Sequence, residues 1–190
     1  YMKAIGIVGS PRKGGNCEYL TNHALKAIAE EGIETELVTL AGLNIGHCIG
    51  CYACQKDEHR CVIDDDAWPI YHKMLQADGI GLATPVYFGS ATSLMKAFMD
   101  RTGMVARYSG DPFKGKVGGP LVVARRGGLN FTYAQMNFWF QLLQFYMTGA
   151  SYWNIAFGRG KGEVAQDKEG VDTAWSFGKN MAQLMKAVRR

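Results

Sequence analysis

Four cysteines fall within fourteen residues: Cys48, Cys51, Cys54 and Cys61, separated by two, two and six residues. Thiolates packed this tightly along a chain either hold a metal centre or form a redox-active cluster. A cubane presents closely placed corners to one short loop, and bacterial ferredoxins ligate it with a C-x2-C-x2-C run. A structural zinc site more often draws two separated C-x2-C knuckles from different parts of a chain. The spacing favours an iron–sulfur cluster over zinc, with free or disulfide-forming thiols as the third possibility. His47 and His59 flank the set and are the residue type that replaces cysteine on iron or zinc, but four thiols already complete a ligand set. Asp64, Asp65 and Asp66 follow; helix capping and dipole complementation account for them more simply than a metal does.

Three other segments have the residue types of a binding site. Gly9-Ser10-Pro11-Arg12-Lys13-Gly14-Gly15-Asn16-Cys17 leaves an apolar run and enters an amphipathic one. Small residues such as Gly15 let backbone amides approach an anion closely, and a helix N-terminus there adds a favourable dipole. Ser10 and Asn16 can donate hydrogen bonds, and Arg12 can pair with a phosphate. The segment is neither G-x-x-x-x-G-K-[ST] nor G-x-G-x-x-G, so nucleoside triphosphate and dinucleotide fingerprints are absent. The second segment, Thr84-Pro85-Val86-Tyr87-Phe88-Gly89-Ser90, is apolar with two aromatics. It suits a flat ring whose edge meets backbone amides; the alternative is that Tyr87 and Phe88 simply pack. The third, Ala124-Arg125-Arg126-Gly127-Gly128-Leu129-Asn130, pairs glycines that permit close approach with arginines that meet a second anion or are merely solvated.

The elements that must position these segments follow from periodicity. Ala4–Val8 is a short apolar run of the buried parallel-strand kind, followed by a helix from Asn16 to about Glu31 with Leu20, Ala24, Ala27 and Ile28 on one face. Further strands are expected at 36–40, 80–83, 117–124 and 151–157, and helices at 67–77, 91–101, 131–147 and 171–188. Residues 41–65 form a long cysteine-bearing loop, Asp66 is expected to cap the helix at 67–77, and residues 158–170 form a charged, solvated loop. Five alternations of strand and helix imply an α/β three-layer sandwich: a five-stranded parallel sheet of flavodoxin-like order 2-1-3-4-5 with helices on both faces. Such sheets bind ligands beyond the carboxyl ends of the strands, at the switch point. At 190 residues, one domain over 1–190 is expected, with the cysteine loop as an insertion.

With those segments in that order, the chain resembles the NADPH-dependent FMN reductases of the flavodoxin-like fold. The resemblance rests on GSPRKGGN at 9–16, TPVYFGS at 84–90, Phe98-Met99-Asp100-Arg101 and the Arg125–Gly128 loop. With its four cysteines it is similar to the iron–sulfur flavoproteins, which carry a compact C-x2-C-x2-C-x4–7-C motif; Asp64-Asp65 and the Gly-Arg-Gly-Lys-Gly stretch at 158–162 also fit. The resemblance implies a non-covalent FMN. Its phosphate would sit on Ser10, Arg12, Asn16 and the Cys17 backbone, and its ring along Pro85, Val86, Tyr87, Phe88, Gly89 and Ser90. Ala124, Arg125, Gly127 and Gly128 would flank it, and Cys48, Cys51, Cys54 and Cys61 would ligate a 4Fe–4S cluster. Cys17 departs from the Thr or Ser common at its position, and a thiol is the weaker donor.

The implied activity is an FMN-dependent oxidoreductase passing electrons from NAD(P)H or ferredoxin, through FMN and the cluster, to a small acceptor. Two alternatives remain open: an electron carrier without its own substrate, and an FMN-binding module whose cysteine loop is zinc-stabilised or metal-free. Hydride transfer needs no protein acid or base, so no catalytic side chain is named. The net charge of +4 is mixed along the chain, which argues against nucleic-acid binding. No apolar stretch is long enough to span a membrane and no signal-peptide pattern opens the chain, so the expected compartment is the cytoplasm, where thiols stay reduced. Nine aromatics crowd Phe131–Trp153, and a helix apolar nearly all round needs cover on more than one side. A homodimer or homotetramer is expected.

Overall fold

The computed structural model describes residues 1–57 and 60–189. In chain order the elements are β1 (Lys3–Val8), α1 (Asn16–Ala29), β2 (Glu34–Thr39), α2 (Ala67–Gln76), β3 (Gly79–Pro85) and α3 (Ser93–Tyr108). After them come β4 (Val117–Ala124), α4 (Leu129–Leu142), β5 (Tyr146–Met147), β6 (Ile155–Phe157) and α5 (Lys168–Val188). Short 3-10 turns lie at Ala53–Gln55 and Glu163–Gln166. All strand pairs are parallel, in the order β2-β1-β3-β4-β5, with β6 also on β4. The central strands are buried on both faces because helices cover both. α1 and α5 pack Leu20, Ile28, Phe177 and Met181 on one face; α2, α3 and α4 pack Tyr71, Met74, Phe98, Met136 and Phe140 on the other. Among the described residues, no helix is long and apolar enough to cross a membrane.

The expected fifth strand is shortened to Ile155–Phe157, the fourth helix is shorter than expected, and a two-residue strand, Tyr146–Met147, forms where that helix was expected to continue. α4 stops at Leu142 rather than 147 because Gln144 turns left-handed at φ 61°. The Phe145 N–H then reaches back to the Phe140 carbonyl at 3.1 Å, and the two rings meet at 4.9 Å. This is the hydrogen bond and apolar contact of a Schellman stop. Tyr146–Met147 pairs with Val117 and Gly118, and Ile155–Phe157 with Val122–Ala124. Between them sits Pro120, which has no N–H to offer an edge strand. Its carbonyl instead accepts from Asn154 Nδ2 at 3.1 Å, and the Asn154 carbonyl accepts from the Val122 N–H at 2.9 Å.

Smaller differences have local causes. α3 continues past Arg101 to Tyr108. α5 starts at Lys168 rather than 171 because Asp167 caps it, its carboxylate accepting from the Gly170 N–H at 3.1 Å. β2 begins at Glu34, in register with Lys3 of β1.

Candidate functional site

A cleft opens at the carboxyl ends of β1, β3 and β4, where the strand order reverses. The turn after β1 contributes Ser10, Arg12, Asn16 and Cys17; the turn after β3 contributes Pro85, Val86 and Tyr87; β4 and its turn contribute Val123, Ala124 and Arg125. α1 begins at Asn16 with Gly15 as N-cap and no side-chain cap, so its first N–H groups are left for a ligand. An uncapped helix start beside glycines and an arginine suits a phosphate. The Arg12 N–H donates to Ser10 Oγ at 3.2 Å, which folds the turn. Thr92 locks that turn to α3: its hydroxyl donates to the Gly9 carbonyl at 2.6 Å and accepts from the Met95 N–H at 3.1 Å.

Two residues of this turn act differently from expectation. The Cys17 thiol packs in the core, and burial pushes it up to about 12. What Cys17 can give an anion is its backbone N–H. Asn16 is bonded to the 158–164 segment: Nδ2 donates to the Gly160 carbonyl at 2.9 Å, and Oδ1 accepts from the Gly162 N–H at 2.8 Å. That segment is largely solvent-exposed, as expected from its charge, but it also borders the cleft through Gly158 and Arg159. The sequence signals for them were their place after the last strand of an α/β sheet and the Gly-Arg-Gly-Lys-Gly stretch at 158–162.

The second turn is tight. The Tyr87 N–H donates to the Ser90 carbonyl at 2.8 Å and the Ser90 N–H to the Tyr87 carbonyl at 3.1 Å. Phe88 and Gly89 both have positive φ, as a type I′ turn requires. Tyr87 and Phe88 do not pack in the core: Phe88 is fully exposed and Tyr87 about half so. Ser90 Oγ and the Ala91 N–H both bind Gln135 Oε1, at 3.0 and 2.9 Å, which ties the turn to α4. Gly127 and Gly128 open onto a neighbouring groove walled by Phe131, Tyr152 and Trp153.

The cysteine loop leaves the carboxyl end of β2 but does not stay beside the cleft. Arg101, on α3, donates to the carbonyls of Gly46 (3.2 Å) and Ile63 (2.8 Å) and pairs with Asp65. Beyond those anchors, Tyr52 meets Tyr108 edge-on at 6.4 Å between ring centroids. Tyr108 ends a helix whose start, Ser93, is at the cleft side of the sheet; fifteen steps at about 1.5 Å place the two roughly 22 Å apart. Cys48 and Cys51 are exposed, and Cys54 and Cys61 half-buried. Burial raises the Cys54 thiol, with smaller contributions from Cys61, Cys48 and Cys51. Among the described residues, however, no three Cys, His, Asp or Glu side chains converge as a metal ion needs. His47 is exposed, and His59 lies outside the described residues. The aspartates differ from expectation: Asp66 accepts from the Asn44 N–H at 2.7 Å, while Asp65 takes the Ala67 N–H at the start of α2, at 3.1 Å.

A parallel sheet of this order, with an anion-ready turn after its first strand, defines a flavodoxin-like protein. The flavodoxin, WrbA-like protein of Agrobacterium tumefaciens superposes with a TM-score of 0.71 at 13% identity over 100% of both chains. The chain belongs to the NADPH-dependent FMN reductase family, whose profile it matches over residues 2–160. It is 40% identical to an iron–sulfur flavoprotein of Methanocaldococcus jannaschii over 196 aligned positions, covering 100% of both chains. It is 36% identical to the iron–sulfur flavoprotein of Methanosarcina thermophila, covering 100% of this chain and 98% of that one.

Proposed function

We propose that this protein is an FMN-dependent oxidoreductase that passes electrons from a reduced donor, NAD(P)H or ferredoxin, to a small-molecule acceptor with the help of a 4Fe–4S cluster. The observation that carries this is the cleft at the switch point, where an uncapped helix start and Arg12 face an apolar turn. FMN bound there would exchange hydride or single electrons, and a cluster on Cys48, Cys51, Cys54 and Cys61 would exchange electrons singly. Ser10, Arg12 and the first N–H groups of α1 hold the phosphate. Pro85, Val86 and Tyr87 keep water from one side of the ring. The Tyr87 and Ser90 amides are engaged across their own turn, so the ring edge meets those of Phe88 and Gly89. The cytoplasm, being reducing, would keep the four thiols free for metal.

The exposed Phe131, Phe138 and Leu142 of α4 support a further proposal, that a second copy covers this face in a homodimer or homotetramer. Light scattering that gives a monomer would sink it. For the main proposal, the test is the absorption spectrum of anaerobically purified protein before and after reduction, with iron, zinc and sulfide assays. Bound flavin with bleachable cluster absorbance is expected, and oxidation of NADH or NADPH with a quinone or dye as acceptor. Absence of FMN binding overturns the proposal. Zinc without sulfide rejects the cluster, and FMN binding without turnover makes the protein an electron carrier.

A further inference from the structure

The segment Gly158-Arg159-Gly160-Lys161-Gly162 arches back over the turn that follows β1. Asn16 Nδ2 donates to the Gly160 carbonyl at 2.9 Å, and Asn16 Oδ1 accepts from the N–H groups of Gly162 (2.8 Å) and Val164 (3.4 Å). Arg12 Nη1 donates to the Arg159 carbonyl at 3.1 Å. Among the described residues, the hydrogen bonds that tie 159–162 to the rest of the fold come from these two side chains. With Oδ1 accepting from two donors and Nδ2 already donating once, one N–H of Asn16 remains. The arch fits against Asn16 without slack: a Cβ at Gly158 would lie 2.7 Å from Asn16 Nδ2 and 2.7 Å from the Val164 nitrogen. Gly158 and Arg159 are also walls of the cleft.

We propose that Asn16 is a positioning residue, clamping the 158–164 strap across the anion-binding turn and so setting how long the cofactor stays bound. The inference rests on the reading of the cleft as the FMN site. A flavin phosphate seated on the α1 start lies under the strap. Departure then requires that the strap lift, which breaks the Asn16 bonds first.

Two variants release the strap by different means: Asn16→Ala removes the clamp, and Gly158→Ala wedges it open. Trypsin cuts after Arg159 and Lys161, so cleavage of FMN-free protein reports strap lifting without reference to activity. Each bond lost is worth about fivefold, so each variant should be cut about tenfold or more faster at those bonds, and should release FMN about tenfold or more faster in stopped-flow fluorescence. The double variant should release FMN no faster than either single one, because both act on one element. Asn16→Asp keeps the acceptor for Gly162 and Val164 but turns a carboxylate oxygen to the Gly160 carbonyl in place of the Nδ2 donor, so it should restore only part of the protease resistance. Unchanged cleavage in both single variants overturns the clamp. Release rates that multiply in the double variant overturn it too, since they mark Asn16 as a direct phosphate contact. If the unsubstituted protein binds no FMN, the retention role and the FMN site fall together, while cleavage still reads the clamp by itself. If Asn16→Ala does not fold, Gly158→Ala carries both measurements.

Discussion

Arg101 of α3 and Asp65 at the end of the cysteine loop form an ion pair in which the side chains are 0% and 2% exposed. The same guanidinium binds the carbonyls of Gly46 and Ile63 and lies 4.9 Å from the centre of the Trp68 ring. One buried cation therefore holds both ends of the loop that carries Cys48, Cys51, Cys54 and Cys61. Arg101→Met leaves Asp65 buried without its partner, which costs about 3–5 kcal/mol. A lower urea midpoint and loss of iron and sulfide after anaerobic reconstitution are expected. An unchanged midpoint would refute this role. Replacing both partners with apolar residues should recover part of the stability but not the loop's position.

The same pair makes stability depend on acid pH. Burial alone would raise the Asp65 carboxyl, but the Gly46 N–H, the Arg101 guanidinium and the Ala67 N–H together hold it below its ordinary 3.8. A folded-state value below the unfolded one means the stabilisation is complete above about pH 4 and is lost as pH falls through the folded value. Asp65→Asn should be less stable than the parent at neutral pH and should show a flatter fall in stability below about pH 4. Parallel urea titrations from neutral to acid pH measure both; equal slopes would exclude Asp65 as the titrating group.

Gly128 has φ +83°, and a Cβ there would lie 2.9 Å from Val86 Cγ1 and 3.0 Å from Gly89 Cα. Gly128→Ala must therefore push the turn after β4 away from the turn after β3, on top of a left-handed backbone costing about 1–2 kcal/mol. FMN affinity by fluorescence titration should fall about tenfold or more, since that strain falls on two walls of the cleft. Unchanged affinity would mean that the flavin ring does not use these turns.

Cys17, buried and pushed up to about 12, is almost wholly protonated at pH 8. Iodoacetamide on metal-free, reduced protein should label Cys48 and Cys51 quickly and Cys17 only after unfolding, as peptide mass mapping would read. Rapid native labelling of Cys17 would contradict its burial. Cys17→Ser puts a hydroxyl into the same core and should cost about 1–3 kcal/mol.

Asn154 is fully buried and fills the gap that Pro120 leaves in the edge of the sheet. Asn154→Leu strands the Pro120 carbonyl, a cost of about 1–3 kcal/mol. Faster hydrogen exchange at the β4–β6 junction is expected, with the β1–β3 ladder unaffected; uniform protection would argue that the edge does not depend on the amide.

What was legible in the chain was local. Strand-and-helix alternation carried the sheet order, because a right-handed crossover leaves few ways to stack parallel strands. The glycine-rich turn and the apolar turn could be placed at the same sheet edge because each follows a strand, and Ser10, Arg12, Pro85, Val86 and Arg125 do border one cleft. The gap in the sheet edge between Tyr146–Met147 and Ile155–Phe157 was not legible, since Pro120 looks harmless inside an apolar run. Its effect depends on which neighbour its missing N–H would have faced.

The spacing of Cys48, Cys51, Cys54 and Cys61, the turn chemistry at 9–16 and 84–90 and the order of elements are properties of neighbouring residues, and the sequence alone determined them. Only the tertiary structure decided where the cysteine loop is carried and what Asn16 holds. Arg101 reaches Asp65 across 36 positions, and Asn16 reaches Gly160 across 144. Contacts at such separations bind side chains to partners that no local periodicity marks. They exist because packing α3 on one face of the sheet and closing the chain over its carboxyl edge bring those atoms within hydrogen-bond distance.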